Sequence, residues 1–150
     1  MIHYNIAIVV SQYNQDMTTA LKIGALDYLK ESGLPNDQIT VVEVPGAVEI
    51  PVVAQRLAKQ RVNQQRKFQA IIALGAVIRG ETDHYDYVCQ QVSYGCQRIA
   101  LTEEIPVIFC VLTTENDQQV WDRLGGVQGH KGKEAAECAL HMCKIMEELT

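Results

Sequence analysis

The sequence predicts an α/β fold: a three-layer α/β/α sandwich built on a four-stranded parallel sheet. Three observations lead there. Short apolar runs and amphipathic stretches alternate along the whole chain, the pattern of strand–helix–strand crossovers with helices on both faces. The longest run, Ala70 to Ile78, carries no polar side chain, as expected of a central strand covered on both sides. The 150 residues suffice for one domain with a real core and are too few for two comfortable ones.

Ile6 to Val10, rich in β-branched residues, is the first strand. Ser11-Gln12-Tyr13-Asn14 is a polar break, and Asn14 is placed to cap the first helix. Met17, Leu21, Ala25, Tyr28 and Leu29 recur at helical spacing until Ser32-Gly33-Leu34-Pro35 ends that helix. Ile39 to Val44 is the second strand, closed by Pro45-Gly46. A second helix puts Val53, Ala54, Leu57 and Ala58 on one face, with Pro51 tolerable only in its first turn. Arg61 to Lys67 is basic and glutamine-rich, the composition of a solvated face.

Ala70 to Ile78 is the third strand. Tyr85 to Ala100 then reads as a helix with Val88, Val92, Cys96 and Ile99 inward, and Gly95 allows a close approach there. Pro106 to Leu112 is the fourth strand. A short helix around Gln118 to Arg123 precedes a loop marked by Gly125-Gly126 and Gly129. Glu134 to Leu149 is a final amphipathic helix whose stripe is Ala135, Cys138, Ala139, Met142, Met146 and Leu149. No internal repeat, low-complexity segment or linker interrupts the pattern, so residues 1–150 are expected to form one domain.

Composition narrows the function classes. Net charge is −5, which argues against a nucleic-acid partner. No apolar run reaches the length of a membrane span, and Asn5 interrupts the first apolar stretch as a signal peptide would not be interrupted; a cytoplasmic protein is expected. The five cysteines, Cys89, Cys96, Cys110, Cys138 and Cys143, are odd in number and include no Cys-x-x-Cys, the pattern of free thiols in a reducing compartment. No metal-ligand spacing, dinucleotide fingerprint, P-loop or nucleophile elbow is present.

Chemistry concentrates in Arg79-Gly80-Glu81-Thr82-Asp83-His84-Tyr85-Asp86-Tyr87, directly after the third strand. Parallel sheets bind ligands outside the carboxyl ends of their strands. His84 can give and take protons near neutral pH, although a surface loop histidine is the competing reading from position alone. Gly80-Glu81-Thr82, before a helix start, has the form of a backbone anion cradle. Arg123 could grip a phosphate bidentately or simply be solvated. Tyr13 could stack on a planar ring. Glu49 could accept hydrogen bonds from a polar heterocycle or favour a helix N-terminus, and Phe109 is by default a core residue. His3, His130 and His141 are weaker candidates by position. The reaction cannot be deduced from these features alone.

Several motifs together resemble the lumazine synthases. Val44-Pro45-Gly46-Ala47-Val48-Glu49-Ile50-Pro51 is similar to that family's Pro-Gly-x-x-Glu turn, and Leu74 to Tyr87 to its central motif. Val111-Leu112-Thr113-Thr114-Glu115, Arg123, and Gly129-His130-Lys131-Gly132 with Glu134-Ala135-Ala136 complete the match, in order and with agreeing gaps. The resemblance implies a flavodoxin-like sheet and a transferase of riboflavin biosynthesis. It would condense 5-amino-6-(D-ribitylamino)uracil with 3,4-dihydroxy-2-butanone 4-phosphate, releasing phosphate and two waters, without cofactor or metal.

The resemblance also implies roles, by matching position. It makes Tyr13 the residue stacking on the pyrimidine ring. It has Ala47, Val48 and Glu49 line the ribityl and ring site, and Ala76, Val77 and Ile78 hold the ring through backbone groups. Glu81 and Thr82 match the phosphate-binding turn, Arg123 the phosphate clamp, Lys131 a loop lysine near the phosphate, and His84 the proton-transfer group. Phe109 matches an aromatic that covers the ring from a neighbouring subunit. The family assembles as pentamers with sites at subunit interfaces, some members build sixty-subunit shells, and riboflavin synthase is a further partner; at least a pentamer is expected here. Three departures stand out. Val48 replaces an aromatic found in several relatives, and Glu81 replaces what is often a small residue. Only Met1 to Tyr4 precede the first strand, which argues against the shell. A flavodoxin-like binding module would need a phosphate loop after the first strand, where Gln12-Tyr13-Asn14-Gln15 is a poor one. A scaffold without turnover fits badly with intact His84 and Arg123.

Overall fold

A computed structural model describes residues 2–150. Along the chain run β1 (Ile6–Ser11), α1 (Gln15–Glu31), β2 (Ile39–Val44), α2 (Ile50–Lys59), β3 (Arg61–Val62), β4 (Gln65–Arg66) and β5 (Ala70–Ile78). Next come α3 (His84–Glu103), β6 (Val107–Thr114), α4 (Asp117–Trp121), β7 (Leu124–Gly126), β8 (Gly129–His130) and α5 (Lys131–Glu148). The main sheet is parallel throughout, in the order β2-β1-β5-β6.

Strand alternation divides the core into two layers. Ala7, Val9, Ile71, Ala73 and Val111 face α2 and α3, where Ala54, Leu57, Val92, Cys96 and Ile99 complete one cluster. Ile6, Ile8, Val10, Ile72, Leu74 and Cys110 face α1 and α5, meeting Leu21, Ala25, Leu29, Ala136, Ala139 and Cys143. This is the α/β/α sandwich the alternation predicts. Two glycines set how closely the helices pack. A methyl group on Gly95 of α3 would lie 2.6 Å from Pro51 Cβ of α2, so the close approach expected at Gly95 is met. A methyl on Gly132 of α5 would collide with the Leu21 carbonyl of α1.

Four local expectations change. The α5 stripe is rotated: Gly132, Ala135, Ala136, Ala139 and Cys143 are buried, whereas Cys138 is exposed and Leu149 is 75% exposed. Contact with the α1 backbone selects the smallest side chains, and hydrophobicity alone points at the bulkier ones. Asn14 does not cap α1 through its side chain; it sits in the left-handed region (φ 60°) and bonds elsewhere. The basic stretch is a hairpin, β3 with β4, whose two-residue turn Asn63-Gln64 has positive φ at both positions. Its Arg66 is not fully solvated, because the guanidinium donates to the Ala58 and Glu103 carbonyls at the ends of α2 and α3. Phe109, on the edge strand β6, is not a core residue but 43% exposed.

All five cysteines are free. Cys96, Cys110 and Cys143 are buried, Cys89 is half-buried and Cys138 exposed.

Candidate active site

A cleft of about 440 Å³ opens at the carboxyl ends of the strands. From β1 the chain crosses to one side to make β2; after β2 it crosses back to make β5, so the loops leaving the adjacent strands β1 and β5 diverge. Parallel α/β sheets form their ligand crevice at this kind of divergence. The β1–α1 turn contributes Tyr13 and Asn14, the turn after β2 contributes Gly46, Ala47 and Val48, and the end of β5 contributes Ala76, Val77 and Ile78. Gly80, Thr82, His84, Tyr85 and Val88 line the side toward α3, and Asp117 the side toward α4.

The floor has an open backbone edge. β1 pairs with β5 only as far as Leu74, while β5 runs on to Ile78. The Arg79 N–H turns to Thr114 of β6, and the Ala76 carbonyl turns the other way, accepting from Asn14 Nδ2 at 2.9 Å. By strand alternation the peptide groups of Ile78 face the β1 side as well, where no strand continues. A flat heterocycle with donors and acceptors on its edge can complete that ladder, and Tyr13, 64% exposed at the mouth, offers a ring face to cover it.

His84 is the first residue of α3 and is exposed to the cleft. Its N–H donates to Thr82 Oγ1 at 3.3 Å, which holds the turn before the helix. The next residues are pinned by Arg79. Its Nε donates to Glu115 at 2.9 Å, its Nη2 to Asp86 at 3.4 Å, and its guanidinium lies 4.3 Å from the centre of the Tyr85 ring. The hydrogen bond to Glu115 is the chief cause holding the Arg79 pKa above its ordinary value. Burial pushes the Tyr85 phenol above its ordinary value.

Of the residues named from sequence, the cleft gathers Tyr13, Ala47, Val48, Ala76, Val77, Ile78, Thr82 and His84. Glu49, Glu81, Phe109, Arg123 and Lys131 lie outside its lining. The Glu49 carboxylate folds back over Gly46, 3.1 Å from where a methyl on that glycine would stand. Arg123 Nη1 donates to the Gln119 carbonyl at 2.7 Å, and the guanidinium has no carboxylate partner among the described residues. Lys131 Nζ lies 3.2 Å from Glu134. Sequence reasoning missed Asn14, Gly46, Tyr85, Val88 and Asp117 as lining residues. Gly46 and Tyr85 stand inside the family-like motifs, Asn14 and Val88 have the look of a cap and a core residue, and Asp117 carries no signal.

Among the described residues no group of three or more His, Cys, Asp or Glu side chains gathers as metal ligands. No helix among them is long and apolar enough to cross a membrane. The cleft offers a ring platform, a free backbone edge, one histidine, and small hydroxyl and glycine groups at a helix start.

Comparison with known proteins points the same way. Residues 3–147 match the family described as 6,7-dimethyl-8-ribityllumazine synthase. Proteins of that name from three Coxiella burnetii strains, CbuG_Q212, RSA 493 / Nine Mile phase I and Dugway 5J108-111, are each 53% identical over 146 residues, covering 97% of this chain and 93% of theirs. With a four-stranded parallel sheet as expected and its cleft at the carboxyl ends of the strands, the chain belongs to the 6,7-dimethyl-8-ribityllumazine synthase family.

Proposed function

We propose that the cleft between Tyr13 and His84 is where this chain, acting as one domain, forms 6,7-dimethyl-8-ribityllumazine for riboflavin biosynthesis. The reaction condenses 5-amino-6-(D-ribitylamino)uracil with 3,4-dihydroxy-2-butanone 4-phosphate and releases phosphate and two waters. The observation that carries this reading is the convergence of Tyr13, Ala47, Val48, Ala76, Val77, Ile78, Thr82 and His84 on one cleft from four separate segments.

Each group has a task its surroundings suit. Tyr13 stacks on the pyrimidine, and the open edge of β5 bonds the ring. Thr82 and the backbone after Gly80, with Glu81 turned outward, receive the phosphate, and Arg123 and Lys131 supply the cations that hold it. Schiff-base formation, phosphate elimination and ring closure are proton movements on an already reactive pair. Positioning therefore supplies much of the rate, and His84 moves the protons.

The site is completed by a neighbouring copy. Phe109 is exposed on β6 and does not line this chain's own cleft, so the ring-covering role requires the Phe109 of a second subunit. The assembly is a pentamer or a multiple of it, working in the cytoplasm and passing its product to riboflavin synthase.

The test is a fluorescence assay for the lumazine with purified protein and both substrates, with His84→Ala in parallel. Wild-type turnover is expected, and kcat in the variant should fall about a hundredfold with little change in KM for the pyrimidine. A folded, oligomeric wild type without turnover overturns the activity. An unchanged kcat in His84→Ala removes the proton-transfer role.

A further inference from the structure

We propose that His130 is a positioning residue for the phosphate clamp: its imidazole, seated between α1 and α5 on Gly24 and Gly132, sets where Arg123 and Lys131 stand. This rests on the assignment of those two cations to the phosphate.

The hairpin of β7 and β8 begins directly after Arg123 and ends directly before Lys131. Its two ends are tied, with Leu124 paired to His130 and the Lys131 N–H donating to the Arg123 carbonyl at 2.8 Å. Arg123 and Lys131 are thus carried by one small unit, and any shift of the hairpin moves both. A two-stranded hairpin of this size has no stability of its own and must be anchored from outside.

His130 supplies the anchor. A methyl on Gly24, in the middle of α1, would stand 2.6 Å from Nδ1 and 2.8 Å from Nε2, so the imidazole lies against the bare α1 backbone. A methyl on Gly132 would stand 3.1 Å from Cε1, the ring atom that a methyl on Gly24 would also meet first. The ring therefore fills a notch that exists only because both positions are glycine. Nδ1 also accepts from the Lys133 N–H at 3.4 Å, capping α5 from the same residue. The peg, the cap and the hairpin end are one side chain, which leaves Lys131, the next residue, little freedom.

The consequence is selective. A peg under Arg123 and Lys131 affects the phosphate and leaves the pyrimidine edge and His84, on β5 and α3, where they were. Inorganic phosphate is the probe, because its binding is measured by calorimetry without turnover. His130→Asn retains a capping oxygen but is too short to fill the notch. We expect it to weaken phosphate about tenfold, to raise KM for the butanone phosphate similarly, and to leave kcat and KM for the pyrimidine within about twofold. Gly24→Ala, a change that favours helix in itself, should displace the ring and do the same.

The combination decides between a peg and a general loosening. In Gly24→Ala with His130→Asn, the added methyl meets no ring, so the double variant should bind phosphate no worse than the weaker single one. Additive losses overturn the proposal, as do parallel losses in kcat and both KM values. Unchanged phosphate affinity in His130→Asn, alongside a loss in Arg123→Ala, overturns it while sparing the phosphate assignment. Unchanged affinity in both overturns the assignment as well.

Discussion

Asn14 Nδ2 donates to the carbonyl of Ala76 across 2.9 Å, joining the turn after β1 to the free edge of β5. The contact ties together two walls of the cleft, the one that presents Tyr13 and the one that presents the open ladder. It depends on the left-handed backbone of Asn14 (φ 60°, ψ 52°), which turns the side chain inward instead of over the helix it precedes. Asparagine tolerates that conformation better than most residues. Position 14 therefore answers two demands at once, a backbone that leaves β1 sharply and an amide that reaches β5.

Those demands can be separated. Asn14→Gly keeps the backbone and loses the amide; Asn14→Ala loses the amide and strains the backbone. We expect both to raise KM for the pyrimidine substrate. Alanine should cost about 1–2 kcal/mol more folding stability than glycine, read from urea unfolding. Equal stability of the two variants would show that the left-handed turn relaxes freely and that only the hydrogen bond matters.

Arg123 should act through KM. Only its Nη1 is engaged, by the Gln119 carbonyl, which orients the fork and leaves donors for an anion. Arg123→Ala should raise KM for the butanone phosphate about ten- to a hundredfold, the worth of charge-assisted hydrogen bonds, with a smaller effect on kcat. Arg123→Lys should recover part of this, because an ammonium is a point charge without the planar fork. Steady-state kinetics with the pyrimidine saturating gives the answer, and an unchanged KM takes Arg123 out of the site.

The sheet and its cleft were legible because their signals are local. The unbroken apolar run at Ala70–Ile78 announces a strand buried on both faces, and the polar residues after it fall where such sheets bind. Less legible was everything set by contact between distant segments. The α5 seam follows the α1 backbone, which hydrophobicity along α5 cannot report. Asn14 has the chemistry of a cap, and only the position of Ala76, 62 residues away, diverts it. Arg66 lies in a run of charged and amide residues, yet two helix ends converge on it. Phe109 has the side chain of a core residue, but it stands on the edge strand of the sheet and is left exposed there.

The thiols should divide by burial. Cys138 is exposed, whereas burial pushes Cys96 from 9.0 to about 11 and Cys110 and Cys143 to about 12. At pH 8 an alkylating reagent should label Cys138 first and the three buried thiols only on unfolding. The same shifts give a pH dependence. The folded protein keeps protons that the unfolded chain releases above pH 9, so stability present below pH 9 is lost as pH rises toward 11 and 12. In a Cys110→Ala, Cys143→Ala variant, the fall in unfolding midpoint per pH unit above 9 should be shallower. An unchanged slope would assign the alkaline loss to other groups.

Arg66 makes the sharpest stability prediction. Its guanidinium donates to the Ala58 carbonyl at the end of α2 and to the Glu103 carbonyl at the end of α3, and pairs with the Glu103 carboxylate at 3.3 Å. Helix ends carry carbonyls without partners in the helix and a partial negative charge, and a single cation meets both there. Arg66 is partly shielded, with 29% of its side chain exposed and 16% of that of Glu103. Arg66→Ala should therefore cost about 2 kcal/mol, more than an exposed ion pair is worth. Arg66→Lys should restore less than half, since an ammonium cannot span two helix ends. Glu103→Gln should cost much less than Arg66→Ala, because the backbone carbonyl contacts survive it. Urea unfolding of the three variants checks the order, and a Glu103→Gln loss equal to that of Arg66→Ala would make the ion pair, not the two helix ends, the source of the stability.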